Sequence, residues 1–121
     1  MSYWVVGAMW GGHEDQLEAF VRRGYWFLGW DDAAQPAQAR LRDQIAPNHR
    51  IAIKRMLEQG SSNIEIRALG VVREIDPEDR RVYIHWAVSG LQRVVPARGC
   101  FASIHGPFNP DDEWTRLVFQ L

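Results

Sequence analysis

Cysteine is nearly absent from this chain, and Cys100 is the single one among 121 residues. One cysteine excludes an internal disulfide and a zinc site built from several cysteines, and it agrees with a reducing compartment. The chain also lacks any run of about 18 apolar residues, and its first residues lack the basic and then apolar pattern of a secretion signal. We therefore expect a cytoplasmic protein that does not associate with a membrane.

The common catalytic signatures are missing as well. No Gly-x-x-x-x-Gly-Lys-Ser/Thr, Gly-x-Ser-x-Gly or His-Glu-x-x-His sequence occurs, which removes the usual phosphate loop, the hydrolase nucleophile turn and the zinc-protease helix. The 4 histidines have no metal-ligand spacing, and Glu65, Glu74 and Asp76 have no clear partner for a nuclease site. The sequence thus predicts no catalytic residue, no metal and no cofactor, and it favours a binding module over an enzyme.

An excess of charge of one sign is also missing, because 14 basic residues nearly balance 15 acidic ones and the formal net charge is −1. The basic residues nevertheless concentrate between residues 50 and 98. That distribution suits either a basic binding face or the solvated surface of strands. With 46% hydrophobic residues, the chain suits one domain that spans residues 1–121.

Hydrophobic periodicity divides the chain into helical and strand segments. It predicts a central opening strand at residues 3–6, a short helix that Gly24 caps, and a second helix around Ala37 and Leu41. After Asn48 the period changes to 2, which is typical of strands that bury one face. The predicted strands cover residues 49–55, 64–75, 82–88 and 100–104, and a last helix covers residues 110–121. This order predicts an α+β domain with a curved mixed sheet or open barrel of about five to six strands and two to three short helices.

Three details of these elements are specific enough to check. Gly70 predicts a bend in the long strand, and residues 76–79 supply the turn of a hairpin. Asn109 is the predicted cap of the last helix, with Pro110 in its first position. The side chains predicted to point inward are Val82, Ile84, Trp86 and Val88 in the hairpin and Trp114, Leu117, Val118 and Leu121 in the last helix.

Tryptophan is unevenly distributed, because four of the 6 tryptophans lie in the first thirty residues. Trp10 and Trp26 flank glycines in segments that resemble loops, where a flat ring can lie beside exposed backbone. We interpret these two as candidate walls of a binding pocket, with Trp30 as either a further wall or core. The alternative is that all the tryptophans fill the core. Those that their spacing points inward are Trp4, Trp86 and Trp114.

The order of several short motifs resembles one known family. The motifs are Gly-Ala-Met-Trp-Gly-Gly at residues 7–12, Gly-Tyr-Trp-Phe-Leu-Gly-Trp at 24–30, Arg-Ile-Ala-Ile-Lys at 50–54, Ala-Leu-Gly-Val-Val at 68–72 and Tyr-Ile-His-Trp at 83–86. Over roughly residues 3–104, this order is similar to the EVE-like members of the PUA-like superfamily, which are relatives of the YTH readers. The resemblance is greatest to the N-terminal modules of methylation-dependent restriction GTPases. It implies a pseudo-barrel that binds nucleic acid and receives a modified base, flipped out of its strand, in an aromatic cage.

The resemblance also implies roles for particular residues. Trp26 resembles the tryptophan that forms one cage wall, and Trp10 lies where the loop after the first strand borders that pocket. Lys54 and Arg55 lie close to where relatives hold phosphate. The hairpin lacks the longer YTH insertion that carries a further cage tryptophan, so a second wall is expected from Trp10 or Trp30. The predicted modified-base pocket comprises Trp10, Gly11, Tyr25, Trp26 and Trp30, and the predicted contacts to the nucleic-acid backbone are Arg50, Lys54, Arg55, Arg67, Arg93 and Arg98.

These observations leave three functions open. The favoured one is a reader of a modified base in DNA or RNA, acting with an effector protein in defence or in RNA metabolism. It expects an open pocket between Trp10 and Trp26, and it expects Trp26→Ala to weaken binding while the domain stays folded. The second is a structural or interaction protein on the same frame, whose pocket is filled by its own side chains. The third is a small-molecule binder or an unrecognised hydrolase that uses the same cavity.

Overall fold

A computed structural model describes residues 1–10, 14–29 and 32–120 of the chain. Strands and short helices alternate in its first third, and strands dominate from there to the last helix. The strands are β1 (Tyr3–Gly7), β2 (Met9–Trp10), β3 (Glu14–Asp15), β4 (Tyr25–Trp26), β5 (Arg50–Met56), β6 (Asn63–Ile75), β7 (Val82–Val88), β8 (Arg93–Pro96) and β9 (Ile104–Phe108). The helices are α1 (Leu17–Arg23), α2 (Pro36–Arg42) and α3 (Glu113–Phe119).

One mixed sheet organises the domain. Its order from edge to edge is β4-β7-β6-β5-β1-β9, and β8 pairs with β6. β1 lies inside this sheet, parallel to β5 and antiparallel to β9. The sheet curls into a half-barrel, and β2 and β3 form a separate small hairpin. The predicted α+β class, the curved mixed sheet and the interior position of the first strand are confirmed. None of the described helices is long and apolar enough to cross a membrane.

The register of β6 changes where its neighbours change. On one edge β6 pairs with β5, and on the other its residues 63–66 pair with β8 and its residues 69–75 with β7. The pairing with β5 skips Arg67, which is an extra residue in the ladder. A bulge of this kind redirects the side chains around it. The bend predicted at Gly70 coincides with a second register shift, where a Cβ atom would lie only 2.5 Å from Ile84 Cγ2.

The two faces of the sheet bury separate groups of side chains. Trp4 of β1 points to the face that Phe20 of α1 covers, whereas the next residue, Val5, points to the face that Trp114 and Val118 of α3 cover. Neighbouring residues of this interior strand therefore pack into different hydrophobic cores on the two faces of the sheet. Both faces are buried, which is why β1 is apolar throughout. α1 ends as predicted, because Gly24 adopts the left-handed conformation with φ of 73°.

Two predicted boundaries near the C-terminus are wrong. Residues 100–103 form no regular strand, and β9 begins only at Ile104. The last helix begins at Glu113 because Asp112, not Asn109, is its cap. The Asp112 carboxylate accepts a hydrogen bond from the backbone N–H of Thr115 at 3.0 Å, which satisfies a donor that the first turn leaves open. The strands β2, β3, β4 and β8 were not predicted.

Some side chains predicted to point inward do not. Val88 is 42% exposed, because a register shift between β6 and β7 breaks the alternation before it. Trp86 does point inward as predicted, because it packs against the core, although it is only half-buried. In α3 Thr115 is fully buried along with Val118, whereas Leu117 is 44% exposed. The predictions for Val82, Ile84, Trp114 and Val118 are confirmed, and Leu121 lies outside the described residues.

Candidate functional site

A cavity of about 310 Å³ opens at the end of the sheet where β1 and β5 finish. The loop at residues 101–103 and the start of α1 close its sides. We call it the Lys54 cavity. It is lined by Gly7, Ala8, Met9, Asp15, Leu17, Ile53, Lys54, Arg55, Met56, Arg67, Phe101, Ala102 and Ser103.

Lys54 is the buried cation of this cavity, with 5% of its surface exposed. It pairs with Gly7 across the parallel β1–β5 ladder, and a Cβ atom on Gly7 would lie 3.5 Å from the Lys54 Nζ atom. The Nζ atom has only a weak acceptor, the Met56 Sδ atom at 3.7 Å, and no described carboxylate forms an ion pair with it. Burial of the ammonium lowers the pKa of Lys54 from 10.5 to about 8.

Arg55 and Arg67 supply two further cations. Arg55 follows Lys54 on β5 and is exposed. Arg67 is the bulged residue of β6, so its side chain leaves the regular alternation and reaches the cavity. One of its terminal nitrogens lies 3.0 Å from Glu65 Oε1, while its Nε atom is buried and has no hydrogen-bond partner among residues 1–10, 14–29 and 32–120. The cavity is therefore rich in hydrogen-bond donors.

Four hydrogen-bond acceptors around the cavity already have a donor. The Gly7 carbonyl accepts from Trp26 Nε1 at 2.9 Å, and the Ala8 carbonyl accepts from the Gln16 N–H at 2.7 Å. Asp15 is an exposed residue, and its Oδ1 atom accepts from the Leu17 N–H at 3.0 Å. The Ser103 carbonyl accepts from the Gly7 N–H at 2.8 Å.

Two titratable neighbours stay uncharged near neutral pH. Burial raises the pKa of the Cys100 thiol above its ordinary value of 9.0, although Lys54 and Arg98 oppose this shift. Burial and then the charge of Lys54 lower the pKa of His105. The His105 Nε2 atom accepts a hydrogen bond from the Ala102 N–H at 2.9 Å, so neutral His105 holds the loop that closes the cavity.

An apolar rim surrounds the mouth of the cavity. We define it as Met9, Met56, Leu57 and Phe101, which are exposed by 39%, 43%, 36% and 51%. Three of them line the Lys54 cavity, and Leu57 lies beside Met56 and Phe101 in the adjoining groove. Large apolar side chains that gather around one opening are typical of a ligand-binding or interaction site.

The tryptophans predicted to form a cage do not line this cavity. Trp26 has no exposed surface and lies in the core, so in this conformation its ring does not border an open pocket. Trp10 is half-buried against Phe20 and Phe27, with ring centroids 6.1 and 5.1 Å away. It also packs on Gly29, where a Cβ atom would overlap the indole. Trp10 therefore packs against the same core, around Phe20, that encloses Trp26.

The other predicted pocket residues do not line the cavity or lie outside the description. Tyr25 is half-buried and packs edge-on against Phe20 and Phe27 at 5.9 and 5.6 Å between ring centroids. Arg81 lies over the Tyr25 ring at 5.2 Å from its centroid. Gly11 and Trp30 fall outside the described residues.

The predicted cations separate into two groups of three. Lys54, Arg55 and Arg67 meet at the cavity, whereas Arg50, Arg93 and Arg98 do not line it. Arg50 is at the opposite end of β5 and donates to the Asn48 carbonyl at 2.5 Å. The other two bind the C-terminal helix region: Arg93 donates to the Val118 carbonyl at 2.6 Å, and Arg98 pairs with Asp112 at 2.5 Å.

Sequence reasoning missed Met9, Asp15 and Phe101 as lining residues. No local sequence pattern identifies these three residues. Phe101, for example, reaches the cavity only because β9 pairs with β1 and thereby positions the 101–103 loop. Lys54 carried a usable signal: it shares an alternation with Ala52, whose side of the strand is buried. Lysine is almost never fully buried unless it is paired, so a lysine on the buried side of a strand is a candidate functional residue.

No protein-family model matches the chain, and neither the curated proteins nor the solved structures contain a significant match to it. Among residues 1–10, 14–29 and 32–120, no three histidine, cysteine or carboxylate side chains gather as metal ligands would. The properties of the Lys54 cavity are therefore the basis for assigning a function.

Proposed function

We propose that this chain is a nucleic-acid-binding module that receives a modified base, flipped out of its strand, in the Lys54 cavity. The observation that carries the proposal is the convergence of Lys54, Arg55 and Arg67 on one largely apolar cavity. Its volume of about 310 Å³ is at the lower end of small-molecule sites, about 300 to 1,000 Å³. The resemblance to EVE-like domains, and hence a PUA-like pseudo-barrel, belongs to the same proposal.

The chemistry of a flipped base fits what lines the cavity. An extruded base loses its stacking neighbours, so a site that receives it needs apolar surface as well as polar groups for the base edge. Ile53 and Met56 offer apolar surface, and Phe101 offers an exposed ring at the mouth. Arg55 is exposed beside them, where the phosphates flanking a flipped nucleotide would lie. The proposed base site thus moves from the Trp10–Trp26 region to the Lys54 cavity.

A binding function and a purely structural or interaction function predict different states of the pocket. An interaction protein without a ligand has its pocket closed by its own side chains, and Trp10 and Trp26 both pack in or against the core. The Lys54 cavity, in contrast, is open, and it holds a buried ammonium that no carboxylate among the described residues neutralises. This favours a binding function over a purely structural one.

A binding panel tests the proposal. Single- and double-stranded oligonucleotides with and without methylated, hydroxymethylated or thiolated bases would be titrated, with mononucleotides as a separate arm. We expect an oligonucleotide carrying one of these bases to bind most tightly and to lose affinity as salt rises, because phosphate contacts release counterions. Mononucleotides that bind as tightly as oligonucleotides would instead identify a small-molecule site, and affinity that salt leaves unchanged would contradict the proposal.

Arg55→Ala is the first prediction, and it concerns phosphate. We expect the variant to weaken binding to every oligonucleotide to a similar extent and to reduce the slope of log affinity against log salt by about 1. Arg116→Ala is the matched control, because Arg116 is an equally charged, exposed residue on α3, away from the cavity. Salt titrations of both variants decide between a phosphate contact and a general effect of charge. Equal slopes for the two variants would remove Arg55 from the interface.

Phe101→Ala is the second prediction, and it concerns stacking. An aromatic ring that stacks on a base contributes roughly 1 to 3 kcal/mol to binding, and the Phe101 ring is 51% exposed at the cavity mouth. We expect a loss of affinity in that range with little change in thermal stability. Leu117→Ala, at a similarly exposed position on α3, should leave both unchanged. Unchanged oligonucleotide affinity in Phe101→Ala would place the bound base elsewhere.

A further inference from the structure

We infer that the base received by the Lys54 cavity carries an oxygen, not an amino group, as the exocyclic group of its major-groove edge, and that this edge enters the cavity first. Guanine, hypoxanthine, thymine and uracil satisfy this condition, whereas adenine, cytosine and their methylated amines do not. This inference rests on the proposed function and narrows it. It names the chemical class of base from the balance of donors and acceptors in the cavity.

The buried hydrogen-bond donors at the cavity lack good acceptors among the described residues. An ammonium has three N–H donors, yet among the described residues the Lys54 Nζ atom has only the weak sulfur acceptor of Met56 at 3.7 Å. The Arg67 Nε atom has no partner in the part of the chain that the structure describes, although one terminal nitrogen of the same side chain is bound to Glu65. A buried donor without an acceptor is costly. A ligand that brings an acceptor to the Lys54 Nζ atom removes that cost for the ammonium.

Several acceptors of the cavity already have a donor. The carbonyls of Gly7 and Ala8 and the Asp15 Oδ1 atom accept hydrogen bonds from Trp26, Gln16 and Leu17. Asp15 is the one carboxylate among the described lining residues, and it is exposed rather than buried with Lys54. An exocyclic amino group beside Lys54 would point its N–H bonds at the ammonium, which is itself a donor.

The bases differ in whether their major-groove edge carries an exocyclic oxygen or an amino group. In the major-groove edge, guanine presents two acceptors and thymine presents a carbonyl oxygen, whereas adenine and cytosine each present an amino donor. Arginine and lysine bind the guanine acceptors more often than any other base-edge group. Lys54 and Arg67 are side chains of that type, and they lie across the β5–β6 pair at the bulge.

Two matched pairs of bases exchange the exocyclic oxygen for an amine. Thymine and 5-methylcytosine share the pyrimidine ring and the methyl group, and they differ at this exocyclic group and at the adjacent ring nitrogen, which carries a proton in thymine. Hypoxanthine and adenine differ in the same two places. Each base would be placed at the centre of a single strand with a 5′-hydroxyl end and abasic sites on both sides. We expect the oxygen member of each pair to bind about tenfold more tightly.

Lys54 variants assign the preference to this side chain. Lys54→Met keeps the length of the side chain without its charge, and Lys54→Gln keeps an amide donor. In each pair of bases, the preference is the affinity for the oxygen member divided by the affinity for the amino member. We expect Lys54→Met to bring both affinity ratios close to one and Lys54→Gln to retain part of the preference. The control Arg116→Ala should retain all of it.

Several outcomes would overturn the inference. Equal or reversed ratios in the wild-type protein, or ratios that Lys54→Met leaves intact, remove it while nucleic-acid binding stands. Binding that requires a 5′-phosphate also removes it, because the acceptor would then be a phosphate and not a base. If no oligonucleotide binds under any condition, the proposed function fails and the inference fails with it.

Discussion

Trp26→Ala is expected to destabilise the domain by about 3 to 5 kcal/mol, the usual cost of removing a buried tryptophan. The Trp26 ring has no exposed surface and packs in the core with Val82 and Phe20. Its Nε1 atom also donates to the Gly7 carbonyl at 2.9 Å, so the variant leaves that acceptor without its partner. Small domains have about 5 to 15 kcal/mol of stability in total. Thermal unfolding should therefore show a fall in Tm on the order of 10 to 20 °C.

Trp86→Ala is the variant with which the stability loss of Trp26→Ala is compared. Trp86 is only half-buried, although its Nε1 atom donates to the Phe20 carbonyl at 3.0 Å. We expect a smaller loss of stability than for Trp26→Ala, which reverses the order that the sequence suggested. A Trp26→Ala variant that unfolds at the wild-type temperature would show that the ring is not a core element, and the cage hypothesis at Trp26 would regain its place.

The error at Trp26 has a physical origin. The sequence correctly indicates that α1 ends at Gly24, and a Gly-Tyr-Trp segment after a helix resembles a loop. In the fold, Tyr25 and Trp26 form a two-residue strand that pairs with β7, more than fifty residues later in the chain. A strand of that length has no periodicity of its own. Its burial depends entirely on a non-local partner, which local patterns do not reveal.

The last strand illustrates the same limit. The Ile-His-Gly-Pro-Phe sequence of β9 contains glycine and proline, which strands usually exclude. β9 is nevertheless a strand because it lies at the edge of the sheet, where it pairs only with β1 and proline is tolerated. The long alternating segments that form β5, β6 and β7 were predictable, since their pattern extends over several residues on each strand.

The candidate site was partly predictable for the same reason. Lys54 and Arg55 could be selected because they end a strand with clear alternation. Arg67 could be selected as a cation, but its position at the cavity depends on the bulge in the β5–β6 ladder. Phe101 comes from an irregular loop whose location follows from β9, so nothing in its own sequence neighbourhood identifies it.

Lys54→Met is expected to stabilise the ligand-free protein, most strongly below about pH 8. The Lys54 pKa is about 8 in the folded chain, against 10.5 when the side chain is solvated. Below both values the ammonium is charged in either state, and its burial costs the folded protein about 3 kcal/mol. Methionine has a similar length and no charge, so it removes this cost while filling the same space.

The pH dependence has a definite sign. Between about pH 8 and pH 10.5 the unfolded chain binds the Lys54 proton and the folded chain does not, so wild-type stability rises with pH over this window. Cys100 acts in the opposite direction above pH 9.0, because its raised pKa keeps its proton on the folded chain for longer. Its contribution is largely shared by wild type and variant, so the difference between the two proteins isolates Lys54.

Urea unfolding of wild type and Lys54→Met at several pH values measures that difference. We expect the variant's advantage to shrink from about 3 kcal/mol near pH 7 to about 1 kcal/mol near pH 10. Arg55→Met is the matched control, since Arg55 is exposed on the same strand and has no cost of burial to lose. An advantage that does not change with pH would show that Lys54→Met acts through packing alone. The buried ammonium, and with it the donor that the cavity offers to a ligand, would then lose its support.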